Sequence, residues 1–208
     1  MDGNTVLDFG KVVLGALLGS GAASIGLAWW KHRGDSRYLA LRLAVIFEGY
    51  ASACSSLISR NGNAETPQGH EFPNWDVNLP TLPELPSDAD GWKALDVEEA
   101  ALCLGFASQI AGCQSVVGET IEHSPHDIDD VVAEEACCLG LQAWDLAVRL
   151  RSTHKLQPLA PRYDYAQHLR EEQAAGTKRR QEAARDAEQF GRVIAEAQQR
   201  VLDAEARE

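Results

Sequence analysis

A chain of 208 residues suits one ordinary domain plus an appendage. Its 31 acidic and 19 basic residues give a net charge of −12, which repels phosphate backbones and argues against nucleic acid as a partner. Hydrophobic residues make up 45% of the chain, enough for a packed core, so wholesale disorder is excluded.

The first element runs from Val12 to Trp30, 19 residues without a charge. At 1.5 Å per residue a helix of this length spans about 28 Å, close to the hydrocarbon thickness of a bilayer. Trp29 and Trp30 sit at one end, where amphipathic rings favour the membrane interface, and Lys31, His32 and Arg33 follow directly. Positive charge on the C-terminal side predicts an N-out anchor with cytoplasmic residues after Arg33. A secretion signal cleaved near Ser20-Gly21-Ala22 and a soluble core helix are the competing readings, but the signal calls for a more basic start than Lys11 beside Asp2 and Asp8 provides. Gly15, Gly19, Ala22 and Gly26 fall on one helical face, a small-residue pattern that lets membrane helices pack closely, here as a homo-oligomer or against another membrane protein.

A second helix is predicted from Ser36 to about Ser59. Leu39, Leu43, Ile46, Tyr50, Cys54 and Leu57 recur at helical spacing, and Leu41, Val45 and Phe47 widen the apolar face. Glu48 lies among them and is expected to pair with Arg42 or Arg149, a structural rather than catalytic arrangement. Residues 60–91 hold five of the eight prolines and read as a helix-free connection. Within it LPTLPELP has Pro80, Pro83 and Pro86 at every third position. An extended strap carrying Leu79, Leu82 and Leu85 onto the bundle is the stronger reading, and a groove ligand for a protein partner is the alternative. Phe72, Trp75 and Trp92 are expected to pin this connection.

The third helix is predicted from Asp96 to about Glu122, with Leu95, Leu102, Phe106, Ile110, Cys113, Val117 and Ile121 as its stripe. Gly105, Gly112 and Gly118 weaken it but permit close packing. After Pro125, a fourth helix from about Asp127 to His154 buries Ile128, Val132, Ala136, Leu139, Ala143, Leu146 and Leu150. Its acids lie early and its bases late, the favourable order for the dipole. From about Tyr163 a long helix rich in Ala, Glu, Gln and Arg follows. A clean coiled-coil seam is absent between Glu171 and Gln189, but Phe190, Ile194 and Val201 form an apolar cluster suited to a partner. Lys178, Arg179 and Arg180 read as part of a solvated charged face.

Chemistry is sparse. Phosphate loops, GxGxxG and GxSxG are missing. The five cysteines, Cys54, Cys103, Cys113, Cys137 and Cys138, are odd in number and include no CxxC, so they read as free core residues in a reducing compartment. EHSPHDIDD offers His123, His126, Asp127 and Asp130 as ligands for zinc or iron, but acids at a helix start need no metal to explain them. No catalytic, cofactor-binding or metal-binding residue is expected, and no cofactor.

GWKALD (Gly91 to Asp96), LGLQAWDLAVRLR (Leu139 to Arg151) and the anchor ending WWKHR resemble uncharacterised bacterial single-pass membrane proteins with a helical cytoplasmic region. The resemblance spans roughly residues 5–165 and implies no activity.

These elements predict an all-α protein: an anchor over 1–33, a three-helix bundle over 34–157 with the proline-rich connection inside it, and a charged helix over 158–208. The function expected is that of a membrane-anchored, non-catalytic interaction or scaffold protein facing the cytoplasm. The alternatives are an accessory subunit of a membrane enzyme, a helical metalloenzyme, or an envelope or phage protein with a periplasmic helix.

Overall fold

The computed structural model describes residues 34–69 and 73–205, with side chains to 194. The anchor with Gly15, Gly19, Ala22 and Gly26, as well as Phe72 and the side chain of Val201, lies outside the described residues. All regular structure among the described residues is helical. In chain order it comprises α1 (Gly34–Gly62), α2 (Ala89–Ala94), α3 (Val97–His123), a single 3₁₀ turn (Pro125–Asp127), α4 (Ile128–Thr153) and α5 (Tyr165–Glu205).

Contacts divide the chain into two compact units, and α1, α3 and α4 each run through both. The first unit combines residues 34–48, 82–107 and 145–160. Its core holds Leu39, Leu43, Phe47, Cys103, Phe106, Ala147 and Leu150. Phe47 and Phe106 meet edge to face, with ring centroids 5.4 Å apart. That geometry sets the positive ring edge against the negative ring face.

Helix α2 begins inside the stretch expected to be helix-free. Asp88 caps it, its carboxylate accepting from the Gly91 amide at 3.1 Å. Glycine at 91 suits this close approach, because an added Cβ would lie 3.0 Å from Leu39 Cβ and 2.8 Å from the capping Asp88 carboxylate. Trp92 Nε1 donates to the Pro86 carbonyl at 2.7 Å, and Pro86 is buried. Helix α3 then starts on Asp96, which accepts from the Glu98 amide at 2.9 Å.

The second unit combines residues 49–81, 108–144 and 161–208. Tyr50, Cys54, Leu57, Val117, Val132, Ala136, Leu139, Ala166 and Leu169 form its core. Leu79 is buried there, its amide donating to Gln114 Oε1 at 2.9 Å. The first two turns of α5 insert Ala166 and Leu169, whereas every residue from Gln181 to Ile194 is exposed.

Two expectations about α3 are corrected. Leu102 and Ile121 are exposed, because the buried line runs through Glu99, Cys103, Phe106 and Val117 and leaves them on its flanks. Gly105, Gly112 and Gly118 pack against nothing: a Cβ on any of them would meet no atom within 4 Å. The close approach occurs at Gly140 of α4 instead.

Candidate functional site

A group of polar side chains surrounds a void in the second unit. A cavity of about 350 Å³ is bounded by the end of α1, Trp75, the first turn of α4 and the first half of α5. Asp129, Asp130, Glu172 and Arg179 bring charge to its wall, and Ser59 and His168 face each other across 3.2 Å. Arg179 is committed to Asp130 at 3.1 Å.

Ser59 and His168 do not form a nucleophile and base. A hydroxyl carries one hydrogen, and Ser59 Oγ donates it to the Ser55 carbonyl at 3.0 Å. With the hydrogen so placed, Ser59 accepts from the Nε2–H tautomer of His168, and that tautomer takes no proton from the serine. The His168 ring also packs edge-on to Tyr163, with centroids 5.8 Å apart. The cavity can hold a small polar molecule, but the serine is not activated for attack.

The first unit holds a buried ion pair and a buried carboxylate–imidazole contact. Glu48 meets Arg151 through two hydrogen bonds of 2.5 and 2.9 Å. Their side chains are only 9% and 11% exposed. Glu48 thus pairs with neither Arg42 nor Arg149. Arg149 points about 200° away from Arg151 around α4 and pairs with Glu98 at 3.1 Å, while Arg42 lies over the Tyr38 ring. The hydrogen bond to Glu48 raises the Arg151 pKa further above its usual high value. Arg151 also donates to the Gln157 carbonyl at 2.7 Å, so both ends of its fork are used. The second pair joins Glu99 to His154 Nε2 at 3.0 Å. No sequence period brings its partners together, since 55 residues separate them. The first pair ties α1 to α4, and the second ties α3 to the residue that follows α4.

Cys54, Cys103 and Cys137 are buried, and Cys113 and Cys138 are half-buried; all five are free thiols. Burial pushes the first three up to about 12. Cys113 rises to about 12 as well, through burial and then a hydrogen bond to Glu135. Burial likewise raises the Tyr50 hydroxyl, which contacts the Cys54 thiol. These are poor nucleophiles.

The residues named from sequence do not converge. His123, His126 and Asp127 are exposed, Asp130 is held by Arg179, and no three His, Cys, Asp or Glu side chains among the described residues are grouped to hold a metal. Pro83 is exposed, Pro80 is half-buried and Pro86 is buried. Phe190 and Ile194 are exposed on α5. Arg179 and Arg180 reach α4, binding Asp130 and Glu134 at 3.1 and 2.5 Å, so this basic spot is a docking contact rather than a purely solvated face.

The most unusual surface belongs to α3. From Ala100 to Gly118 it carries no charge, yet only 17% of its most apolar stretch is buried. The solvent side of an ordinary surface helix is charged or polar. Here it carries Ala101, Leu104, Ala107, Ser108 and Ala111. Two helices among the described residues, α1 and α3, are long and apolar enough to cross a membrane, and α1 is mostly buried. The chain matches no family model, no curated protein and no solved structure.

Proposed function

We propose that the chain is a membrane-anchored, non-catalytic interaction or scaffold protein whose helical part faces the cytoplasm. The observation that carries this reading is the exposed, charge-free side of α3. An uncharged face of this length gains nothing from water and is suited to burial against a partner. The open space over Gly105 and Gly112 would let a partner helix approach closely. On this reading α3 does not itself span the membrane, because Glu99 and His154 hold its first turns in the bundle. Residues 12–30 are then the single pass, oriented by Lys31 and Arg33. The proline-rich connection serves as a strap, with Leu79 and Pro86 buried rather than presented to a ligand.

The test is purification of the full chain from solubilised membranes, beside a Leu104→Glu, Ala111→Glu double variant. The wild type should carry one partner, a second copy or another protein, in fixed ratio. The variant should lose it while keeping its helical circular dichroism and resisting carbonate extraction. A solitary wild-type monomer, a partner indifferent to both substitutions, or release by carbonate would overturn the reading.

A further inference from the structure

The start of α1 shows one side to the core and a chemically distinct side to solvent. Ser36, Leu39, Ala40, Leu43, Ala44 and Phe47 are buried, whereas Gly34, Arg37, Tyr38, Leu41, Arg42 and Val45 are exposed. The exposed positions fall on a single helical stripe. Its three large apolar side chains are 59%, 39% and 55% exposed, for Tyr38, Leu41 and Val45. Its two charges are both arginines. Asp35, half-buried, lies at the edge of this stripe, seven residues before Arg42.

Both arginines retain donors for a ligand. The Arg42 guanidinium lies 5.8 Å over the Tyr38 ring, and Arg37 makes a 3.4 Å hydrogen bond to the Lys155 carbonyl. An aromatic ring, two aliphatic side chains and flanking arginines are what an interfacial helix presents to a lipid surface. The chain preceding α1 identifies the occupant. The charge-free run ends at Trp30, only four residues before Gly34, and Lys31, His32 and Arg33 fill the gap.

We infer that the outer stripe of α1 docks on an anionic lipid surface, Arg37 and Arg42 meeting headgroup phosphates while Tyr38, Leu41 and Val45 enter the headgroup layer. The inference rests on the membrane-anchored reading and adds a second, reversible contact beside the anchor. A second copy is a poorer occupant, because face-to-face stripes would oppose arginine to arginine.

The test uses the full chain in phosphatidylcholine vesicles with and without phosphatidylglycerol. A benzophenone side chain replaces Leu41, Val45 or, as a control, Phe190. Illumination should give lipid adducts at 41 and 45 but not at 190. They should increase with the anionic lipid and fall about fivefold for each of Arg37→Gln and Arg42→Gln. Adducts equal to the control, adducts indifferent to phosphatidylglycerol, or adducts joining two protein chains would overturn the docking. Carbonate extraction separates the two readings. A chain that stays in the vesicles without adducts removes the docking alone, whereas a chain that is stripped off removes the anchor and the docking with it.

Discussion

Gly140 of α4 lies directly beneath Leu169 of α5: a Cβ at 140 would sit 2.8 Å from Leu169 Cδ1 and 2.9 Å from Cys54 Cβ. The leucine tip could swing away, but Cys54 Cβ is fixed to the α1 backbone. Gly140→Val should therefore destabilise the protein by about 2 kcal/mol through overpacking. Gly105→Ala, with nothing within 4 Å, should stabilise it by up to about 1 kcal/mol from helix propensity. Urea unfolding followed by circular dichroism measures both. Equal effects at the two sites would mean that the helices do not approach at Gly140.

A second consequence follows from Glu48 and Arg151, whose side chains are about nine-tenths buried. Removing one partner strands the other charge. Glu48→Gln or Arg151→Met should cost about 3 kcal/mol each, and a Glu48→Leu, Arg151→Met pair less than the sum of its two single substitutions. Additive losses in the double-mutant cycle would refute the coupling.

These contacts mark the limit of what periodicity reveals. The long helices were legible because their apolar residues recur every three or four positions over more than 20 residues, with prolines between them. Helix α2 was not, since Ala89–Ala94 is a single capped turn and a half with no stripe to detect. On α3 the apolar side chains run nearly all round, so spacing could not choose between Leu102 and Cys103 as the inward residue. The buried member of that turn is Cys103, in line with Glu99 and Phe106.

Pairings are less legible in the sequence than elements. Glu48 stood out as an acid on an apolar helix, but choosing Arg151 over Arg149 requires the rotation of α4, which no sequence period supplies. Glu99 looked like an ordinary first-turn acid, and only the fold brings His154 to it. The cavity beside Ser59 and His168 draws its walls from four separate stretches of chain, so no local motif announces it.

Thiol chemistry gives a pH-dependent prediction. With pKa values pushed up to about 12, Cys54, Cys103 and Cys137 have roughly one thiol in ten thousand ionised at pH 8, against about one in ten at the ordinary value of 9.0. Iodoacetamide labelling of the native protein should be slow and should rise tenfold per pH unit up to unfolding. All five cysteines should label rapidly in denaturant. The linkage has a matching sign. A pKa raised by folding contributes stability that is whole below about pH 9 and is lost as pH climbs toward 12. Mass spectrometry of tryptic peptides reads the labelling, and a rate plateau near pH 9 in the folded protein would contradict it.

Ala166 and Leu169 are buried, and Arg179 and Arg180 still reach Asp130 and Glu134, but from Gln181 to Ile194 no side chain is covered. An isolated helical segment gains little from propensity alone, and exposed pairs such as Arg192 with Glu188 contribute about 0.3–0.5 kcal/mol. Limited trypsin should therefore cut first at Arg185 and Arg192 and only later at Arg170. A chain ending at Arg185 should unfold at the same urea concentration as the full chain. If Phe190, Val193 and Ile194 instead pair with a second copy, the full chain should resist trypsin there at high protein concentration and lose that resistance on dilution. Concentration-independent protection at Arg185 would require a contact within the same chain and would contradict both outcomes.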